Sequence, residues 1–511
     1  MLPQTLVIPE FLFLTFILSL LVATFLHSKL HKKNGRKNPP GPKPMPIIGN
    51  LHMLGKLPHR TLQSLAKKYG PIMSLKLGQV QTIVVSSPQI AELFLKTHDS
   101  IFCNRPKTFA SSYFSYGRKG LVFTEYGDYW RNMRKLCNIQ LLHTSKVETF
   151  APLRKEEVGR QIKSLRKSAR LHEVEVVDVS KVVADLIENI NYKMILGRNK
   201  DDTFDLKELV NEELTLVGMF NLGDYLPWLR PFDLQGIERR CKKTWKQLDE
   251  LLEHIIKEHE NPSIEEQKGH NNKDFVDILL SLLNQPIDTK DKKYDIDRTN
   301  IKALIMDMIS AAIDTTSVVT DWALSLLLKH PNAMKKLQHE LENVVGMNRQ
   351  VEETHLKNLP YLSMVMKETF RLYPVGPLLI PHQCLQDVVV DGYYIKKNTR
   401  ILINAWTIGR DTKVWSDNAE MFCPERFEDG IVDVCGHDFQ LLPFSSGRRI
   451  CPGIHLGVAN AKFVVAQLMH CFNWKLPDGM SPDDLDMSEK FELTMPRSQP
   501  LLAVPTYRLN F

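Results

Sequence analysis

The chain has 511 residues, a formal net charge of +7 and 43% hydrophobic residues, enough to bury a large core without disulfide or metal staples. Its eight cysteines are scattered and form no CxxC pair, which excludes a disulfide scaffold and points to reduced thiols. The modest positive balance fits a membrane surface or an acidic partner, and no nucleic-acid motif accompanies it.

In chain order, the first feature is an expected membrane anchor. Val7–Leu26 is strongly apolar apart from Glu10 and a few hydroxyl residues, and as a helix it would reach about 30 Å, enough to cross a bilayer. Basic residues follow it (Lys29, Lys32, Lys33, Arg36, Lys37) and none precedes it. That order differs from a cleaved signal peptide and keeps the rest of the chain on the cytoplasmic side. Prolines at 39, 40, 42, 44 and 46 then forbid a helix and favour a stiff extended segment. The expected division is an anchor over 1–28, a basic and proline-rich hinge over 29–46, and one large domain over 47–511.

Ile72–Leu77 and Thr82–Val85 alternate around Gly78 and predict a β-hairpin, and Ser87-Pro88 predicts a helix start. From about residue 130 helical periodicity dominates, as in Asp274–Leu283, Thr299–Lys329 and Asn332–Val345. Val388–Tyr394 predicts strands about an Asp391-Gly392 turn, while 258–273 and 284–293 are polar and are expected to be surface loops. The fold class is mostly α with a small β part. No Gly-x-Gly-x-x-Gly follows a strand, and no Walker-type or Gly-x-Ser-x-Gly motif is present, so neither a nucleotide site nor a hydrolase elbow is expected.

The most chemically loaded stretch is Pro443–Gly453, PFSSGRRICPG. A cysteine there can be a nucleophile, a zinc ligand, a disulfide partner or an iron ligand. Cys451-x-x-x-His455 lacks a second ligand pair for zinc. Arg448 and Arg449 supply positive charge, a helix is predicted from Ile454, and Gly447 permits a tight turn. Cationic neighbours and a helix N-terminus favour a thiolate, and Phe444 can lie against a ring. This setting suits a planar anionic cofactor with its iron on sulfur and a propionate on arginine.

The pattern Phe444-x-x-Gly447-x-Arg449-x-Cys451-x-Gly453 resembles the haem-binding loop of the cytochrome P450 family. Other motifs of that family stand in order along nearly the whole chain. Glu368 and Arg371 are three apart on a predicted helix and can pair; with Arg426 of Pro424–Phe427 they would form the family's buried Glu-Arg-Arg cluster, an architectural device. Trp130 and Arg134 share a helical face, and the resemblance assigns them, with His382 and Arg449, to the haem propionates. Ala311-Ala312-Ile313-Asp314-Thr315-Thr316 matches the family's oxygen-side helix, with Ala312 where the family usually has glycine. An acid–hydroxyl pair, Asp314 and Thr315, suits proton delivery, and the threonine hydroxyls can back-bond to the preceding turn.

The resemblance implies a P450 fold and a monooxygenase carrying haem b on the Cys451 thiolate. One oxygen atom of O2 would enter the substrate and the other would leave as water. The chain has no flavin or nicotinamide domain, so NADPH would act only through a membrane-bound NADPH–cytochrome P450 reductase, docked against basic residues including Arg131, Lys135 and Arg448. Substrate contacts are expected from 106–123, 213–222, 307–315, 375–380 and the turn at Thr494–Met495. Phe114, Phe123, Ala311, Ala312, Leu378, Leu379 and Met495 would line the pocket. The anchor, the hinge and PERF resemble plant microsomal members, which implies the endoplasmic reticulum membrane, a cytoplasmic catalytic domain and a lipophilic specialised metabolite, aromatic or terpenoid, as substrate. A reductase-independent haem-thiolate isomerase or dehydratase is one alternative, against which the Asp314-Thr315 pair argues. A membrane-anchored haem sensor is the other, and it would need neither a proton relay nor a deep apolar pocket.

Overall fold

The computed structural model describes residues 37–171, 176–198, 206–261, 273–288, 293–477 and 479–510. The expected anchor and the first part of the hinge lie outside these residues, as does most of the loop expected over 258–273. The principal helices are α1 (Pro58–Tyr69), α2 (Asp128–Gln140), α3 (Ala151–Leu171), α4 (Val179–Leu196), α5 (Leu206–Gly218), α6 (Ile237–Glu260), α7 (Arg298–Lys329), α8 (Pro331–Val345), α9 (Pro360–Leu372) and α10 (Ile454–Cys471). Among the described residues eleven short strands, from β1 (Ile72–Leu77) and β2 (Val80–Val85) to β10 (Phe472–Lys475) and β11 (Leu502–Tyr507), form small sheets of two to four strands.

Local chemistry places most of these elements as expected. β1 and β2 pair with Leu77 opposite Val80, so Gly78 and Gln79 form the hairpin turn, and Gly78 takes the positive φ such a turn needs. The β2 edge is continued in parallel by β9 (Arg400–Ile403), which pairs in turn with β6 (His382–Gln383). Ser87 caps its helix through Ile90 N, with Pro88 in the first turn. Val388–Val390 and Tyr393–Ile395 form the expected hairpin about Asp391 and Gly392. Two loops differ from expectation. α6 runs on through Glu260, and Pro286–Asp288 pairs with Lys293–Asp295 inside the segment read as a loop, where polar composition hid the backbone pairing.

α7 organises the rest. By length and composition it could cross a bilayer, yet most of it is buried, and it forms the central core helix. Its start is fixed by a capping box between Asp297 and Asn300. Its C-terminal half (Val318, Trp322, Leu327) packs with α4, α8, α9 and α10 in the larger hydrophobic cluster, while its N-terminal half (Ile301, Ile305, Ile309) packs with α5 and α6 in a second. Between the two lies a stretch, Ala311–Thr315, in which no residue is buried. A helix enclosed by its neighbours that leaves its middle uncovered marks an internal space, and the remaining elements assemble around it.

Candidate haem-thiolate site

The cysteine loop is shaped by a glycine that nothing can replace. Gly447 adopts φ +68°, and a Cβ there would collide with Leu95 O and stand 2.9 Å from the Asp99 carboxyl. The turn returns the chain so that Cys451 N donates to Phe444 O at 2.9 Å. α10 starts at Ile454, and the Gly453 N–H points back at the thiol. Burial pushes the Cys451 thiol up, and that N–H with the Arg134 guanidinium pulls the other way. Phe444 packs edge-on against Phe370 at 5.2 Å, which joins the loop to α9.

Beside this loop sits a cluster of basic side chains, with Arg105, His382 and Arg449 buried and Arg134 half-buried. Trp130 and Arg134 do share one face of α2, with Arg134 6.0 Å from the indole centre. Arg449 lies 4.0 Å from the same indole centre, and Trp130 Nε1 donates to Leu121 O at 2.9 Å. His382 sits on β6, where Nδ1 meets the Phe102 carbonyl at 3.0 Å and therefore carries the proton. Its Nε2 is buried with no partner among the described residues.

Arg105, which no motif singled out, joins them. Its Nη1 donates to Ile380 O (2.6 Å) and Pro381 O (2.9 Å), and its Nε is buried without a partner. Burial, with Arg449 and Arg134 nearby, holds Arg105 well below the usual arginine range. Burial pushes Arg449 down to about 10, and burial with Arg105 nearby drives His382 well below the usual histidine range. None of Arg105, Arg134, His382 and Arg449 forms an ion pair with a described residue. Buried arginines without anions are costly, and the orphaned Arg105 Nε–H costs more again. A planar dianion seated beside Cys451 would relieve both, so the residues present fit a haem.

One expectation shifts in detail. Arg449 spends its donors on backbone carbonyls, Nε on Cys103 O (2.7 Å) and Nη2 on Thr124 O (2.6 Å), which leaves Arg105 and His382 with the orphaned nitrogens.

Across the cavity, α7 runs unbroken through Ala312, whose methyl packs with Ile313 on the second core cluster. Thr315 Oγ1 donates to Ala311 O at 2.5 Å, the back-bond the sequence suggested. Asp314 is hydrogen-bonded by the Thr494 hydroxyl, and burial pushes its carboxyl up to about 6. Ala311 is exposed on α7, and Phe123, Leu378 and Leu379 are half-buried; Leu378 and Leu379 pack partly against the clusters beneath the β1–β2 sheet. Two expected pocket residues are not on the surface of the cavity. Phe114 is packed inside the second core cluster, and Met495 has no accessible surface, its carbonyl accepting Trp322 Nε1 at 2.8 Å. The neighbouring Thr494 is the residue of that turn whose side chain reaches Asp314.

Behind the cysteine loop, Glu368 and Arg371 on α9 form a two-pronged pair (2.6 and 2.7 Å) with no exposure of either side chain, and Arg426 Nε stands 3.3 Å from Glu368.

The order of these features matches one family throughout. The profile described as Cytochrome P450 matches residues 39–504. The chain belongs to the cytochrome P450 family. Among curated proteins, this P450 is 56% identical over 478 residues to cytochrome P450 CYP736A12 of Panax ginseng, covering 93% of this chain and 95% of that one. It is 43% identical to cytochrome P450 750A1 of Pinus taeda (99% and 98% covered) and 39% identical to costunolide synthase of Cichorium intybus (96% and 97%). Among solved structures, a zebrafish cytochrome P450 determined with abiraterone aligns with a TM-score of 0.71 at 26% identity, over 88% of this chain and all of that one. The protein is a cytochrome P450 monooxygenase, an oxidoreductase of a family that holds haem iron through a cysteine thiolate, draws electrons from a redox partner and acts with O2 on hydrophobic substrates.

Proposed function

We propose that this P450 is a single-pass enzyme of the endoplasmic reticulum membrane that oxygenates a lipophilic plant specialised metabolite, aromatic or terpenoid, with electrons from an NADPH–cytochrome P450 reductase. The observation that carries the reading is the set of arginines beside Cys451, Arg105, Arg134 and Arg449, that have no ion-pair partner among the described residues, set opposite the Asp314–Thr315 pair on α7. In it Cys451 is the iron ligand, Arg105, Arg134 and, once protonated on Nε2, His382 hold the propionates, Gly447 and Gly453 shape the loop, Phe444 packs beside it, and Trp130 and Arg449 fix the neighbouring backbone. Glu368, Arg371 and Arg426 hold the haem-side core. Bound haem supplies the activation of oxygen. The chain supplies protons, exclusion of water and position.

Asp314, with its carboxyl pushed up to about 6, carries a proton in part of the molecules near neutral pH and can pass it to a neighbouring oxygen. Thr315 has its hydroxyl proton on Ala311 O, so its lone pairs face the cavity as acceptors, and rotation of the hydroxyl turns it into a donor. Ala312 narrows the ceiling of the cavity by one methyl relative to glycine. Phe123, Leu378 and Leu379 provide apolar contact.

Two surfaces support the partner and membrane assignments. A groove of about 530 Å³ on the cysteine-loop side is lined by Arg131, Arg134, Lys135 and Arg448. Arg131 is already paired with Asp128, and Arg448 with Asp99 at 2.8 Å, so Lys135 offers the freest charge to an acidic reductase. On another side, Phe220, Trp228, Phe232 and Leu234 are exposed, as are Met45 and Ile47 of the proline-rich segment. Gln79 N bonds Tyr225 O (2.8 Å) and Gly78 N bonds Ile48 O (3.0 Å), which brings the two groups together. A contiguous apolar patch next to the hinge suits a bilayer surface. Domain boundaries follow: anchor over 1–28, hinge over 29–46, catalytic domain over 47–511.

The test is expression in microsomes with a reductase and a screen of lipophilic compounds for NADPH-dependent product. Product that forms without reductase or NADPH would favour an isomerase or dehydratase instead.

A further inference from the structure

Asp307 stands on α7 four residues before Ala311 and eight before Thr315, and so on the same face of the helix. Two turns of helix separate it from Thr315, about 12 Å. Its Oδ2 accepts the backbone N–H of Leu121 and that of Val122, the latter at 3.2 Å. Gly120 precedes them, and a Cβ at that position would collide with the same oxygen. Burial pushes the Asp307 carboxyl up to about 6, and the two N–H groups pull it back. An aspartate in this position is costly, and the two amides are its compensation among the described residues.

The five-residue segment Gly120–Thr124 is also held by the cysteine-loop side of the molecule. Leu121 O accepts Trp130 Nε1 at 2.9 Å and Arg449 Nη1 at 3.4 Å, and Thr124 O accepts Arg449 Nη2 at 2.6 Å. Within the segment, Thr124 Oγ1 donates to Gly120 O at 2.5 Å, and Arg118 Nε donates to Phe123 O at 2.8 Å. Val122 and Phe123 project between these anchors and are half-buried. Gly120–Thr124 is therefore a strap with one edge on α7, one turn before the exposed Ala311, and the other on the Trp130–Arg449 stack.

We propose that Asp307 is a positioning residue that latches this strap to α7, and that it sets which molecules by size reach the space above Thr315. The inference rests on the haem reading of the preceding section. Asp307 holds its effect through the strap and touches no reacting atom. If the contact served stability alone, removing it would lower the melting point and leave discrimination between ligands unchanged.

The test uses the haem-loaded full chain and two iron-binding probes, imidazole and 1-tritylimidazole, followed by the Soret shift in stopped flow. In Asp307→Ala and in Gly120→Ala the association rate of tritylimidazole should rise about tenfold relative to that of imidazole, the scale of losing one charge-assisted hydrogen bond. Asp307→Asn, whose amide oxygen retains an acceptor, should fall between wild type and alanine. Combining Asp307→Ala with Gly120→Ala should add nothing further, because both open one latch. An unchanged ratio of the two probes in these variants, or additive effects in the double variant, overturns the proposal. If alanine variants fail to load haem, an unchanged ratio in Asp307→Asn overturns it by itself. No Soret shift with either probe in the wild type would overturn the haem reading and this one with it.

Discussion

Replacing Arg371 by alanine should prevent stable folding of the haem-side core. The guanidinium makes both bonds to Glu368 and donates to Gly409 O (2.6 Å), Ala419 O (2.5 Å) and Met421 O (3.0 Å), and neither side chain of the pair is exposed. Without it Glu368 keeps Arg426 at 3.3 Å and the Cys423 N–H at 2.8 Å, both on Oε1, while Oε2 loses its partner. Breaking a buried pair by removing one partner costs about 3–5 kcal/mol. Each carbonyl left bare and dry adds about 1–3 kcal/mol. Against a total stability of roughly 5–15 kcal/mol, a loss of at least about 4 kcal/mol shifts the folding equilibrium about a thousandfold. The assay is the yield of haem-loaded protein together with its thermal inactivation rate. Arg371→Lys, with one point charge in place of a planar fork, should lie between. Glu368→Met with Arg371→Met should cost less than Arg371→Ala, because it removes both charges of the fully buried pair and leaves only Arg426, which keeps its bonds to Trp415 O and Asn418 O. Arg371→Ala with wild-type yield and inactivation rate would refute this reasoning.

Four further outcomes follow from the proposed roles. Asp314→Asn should reduce product formation about a hundredfold; because burial raises this carboxyl to about 6, the proton-carrying form is lost as pH rises through that value, so the wild-type alkaline fall in coupled turnover should flatten in the variant. Thr315→Val should divert reduced oxygen to hydrogen peroxide, read as the ratio of product to NADPH consumed. Lys135→Glu should slow reduction by the reductase at low salt more than Arg131→Glu or Arg448→Glu, since the last two cations are already paired; equal effects would sink the ranking. In vesicles containing brominated lipid, Trp228→Phe should remove a quenched component of the fluorescence, and its persistence would place the apolar patch away from the bilayer.

What could be read from the chain was whatever chemistry is local. The Ser87-Pro88 cap, the Gly78 hairpin, the Glu368–Arg371 spacing and the turn at Gly447 are fixed by neighbours within a few residues, and each took the expected form. Arg105 and Asp307 were invisible as individuals because their partners lie far along the chain: Ile380 and Pro381 for one, Leu121 and Val122 for the other. Long-range packing also decided Met495 and Phe114. Both are apolar residues in segments that border the cavity, and an apolar side chain serves equally well in the wall or behind it. The hairpin over Pro286–Asp288 and Lys293–Asp295 escaped because backbone pairing carries it in a polar stretch with no alternation to announce it.

Cys451 as the iron ligand is the claim on which all the others depend, and the carbon-monoxide difference spectrum of the reduced protein tests it most directly. Wild-type protein should give the red-shifted Soret band of thiolate-bound ferrous haem, and Cys451→His should lose that band while the protein still binds haem. A folded, haem-loaded wild type without the band, or a Cys451→His variant that keeps it, would contradict the account.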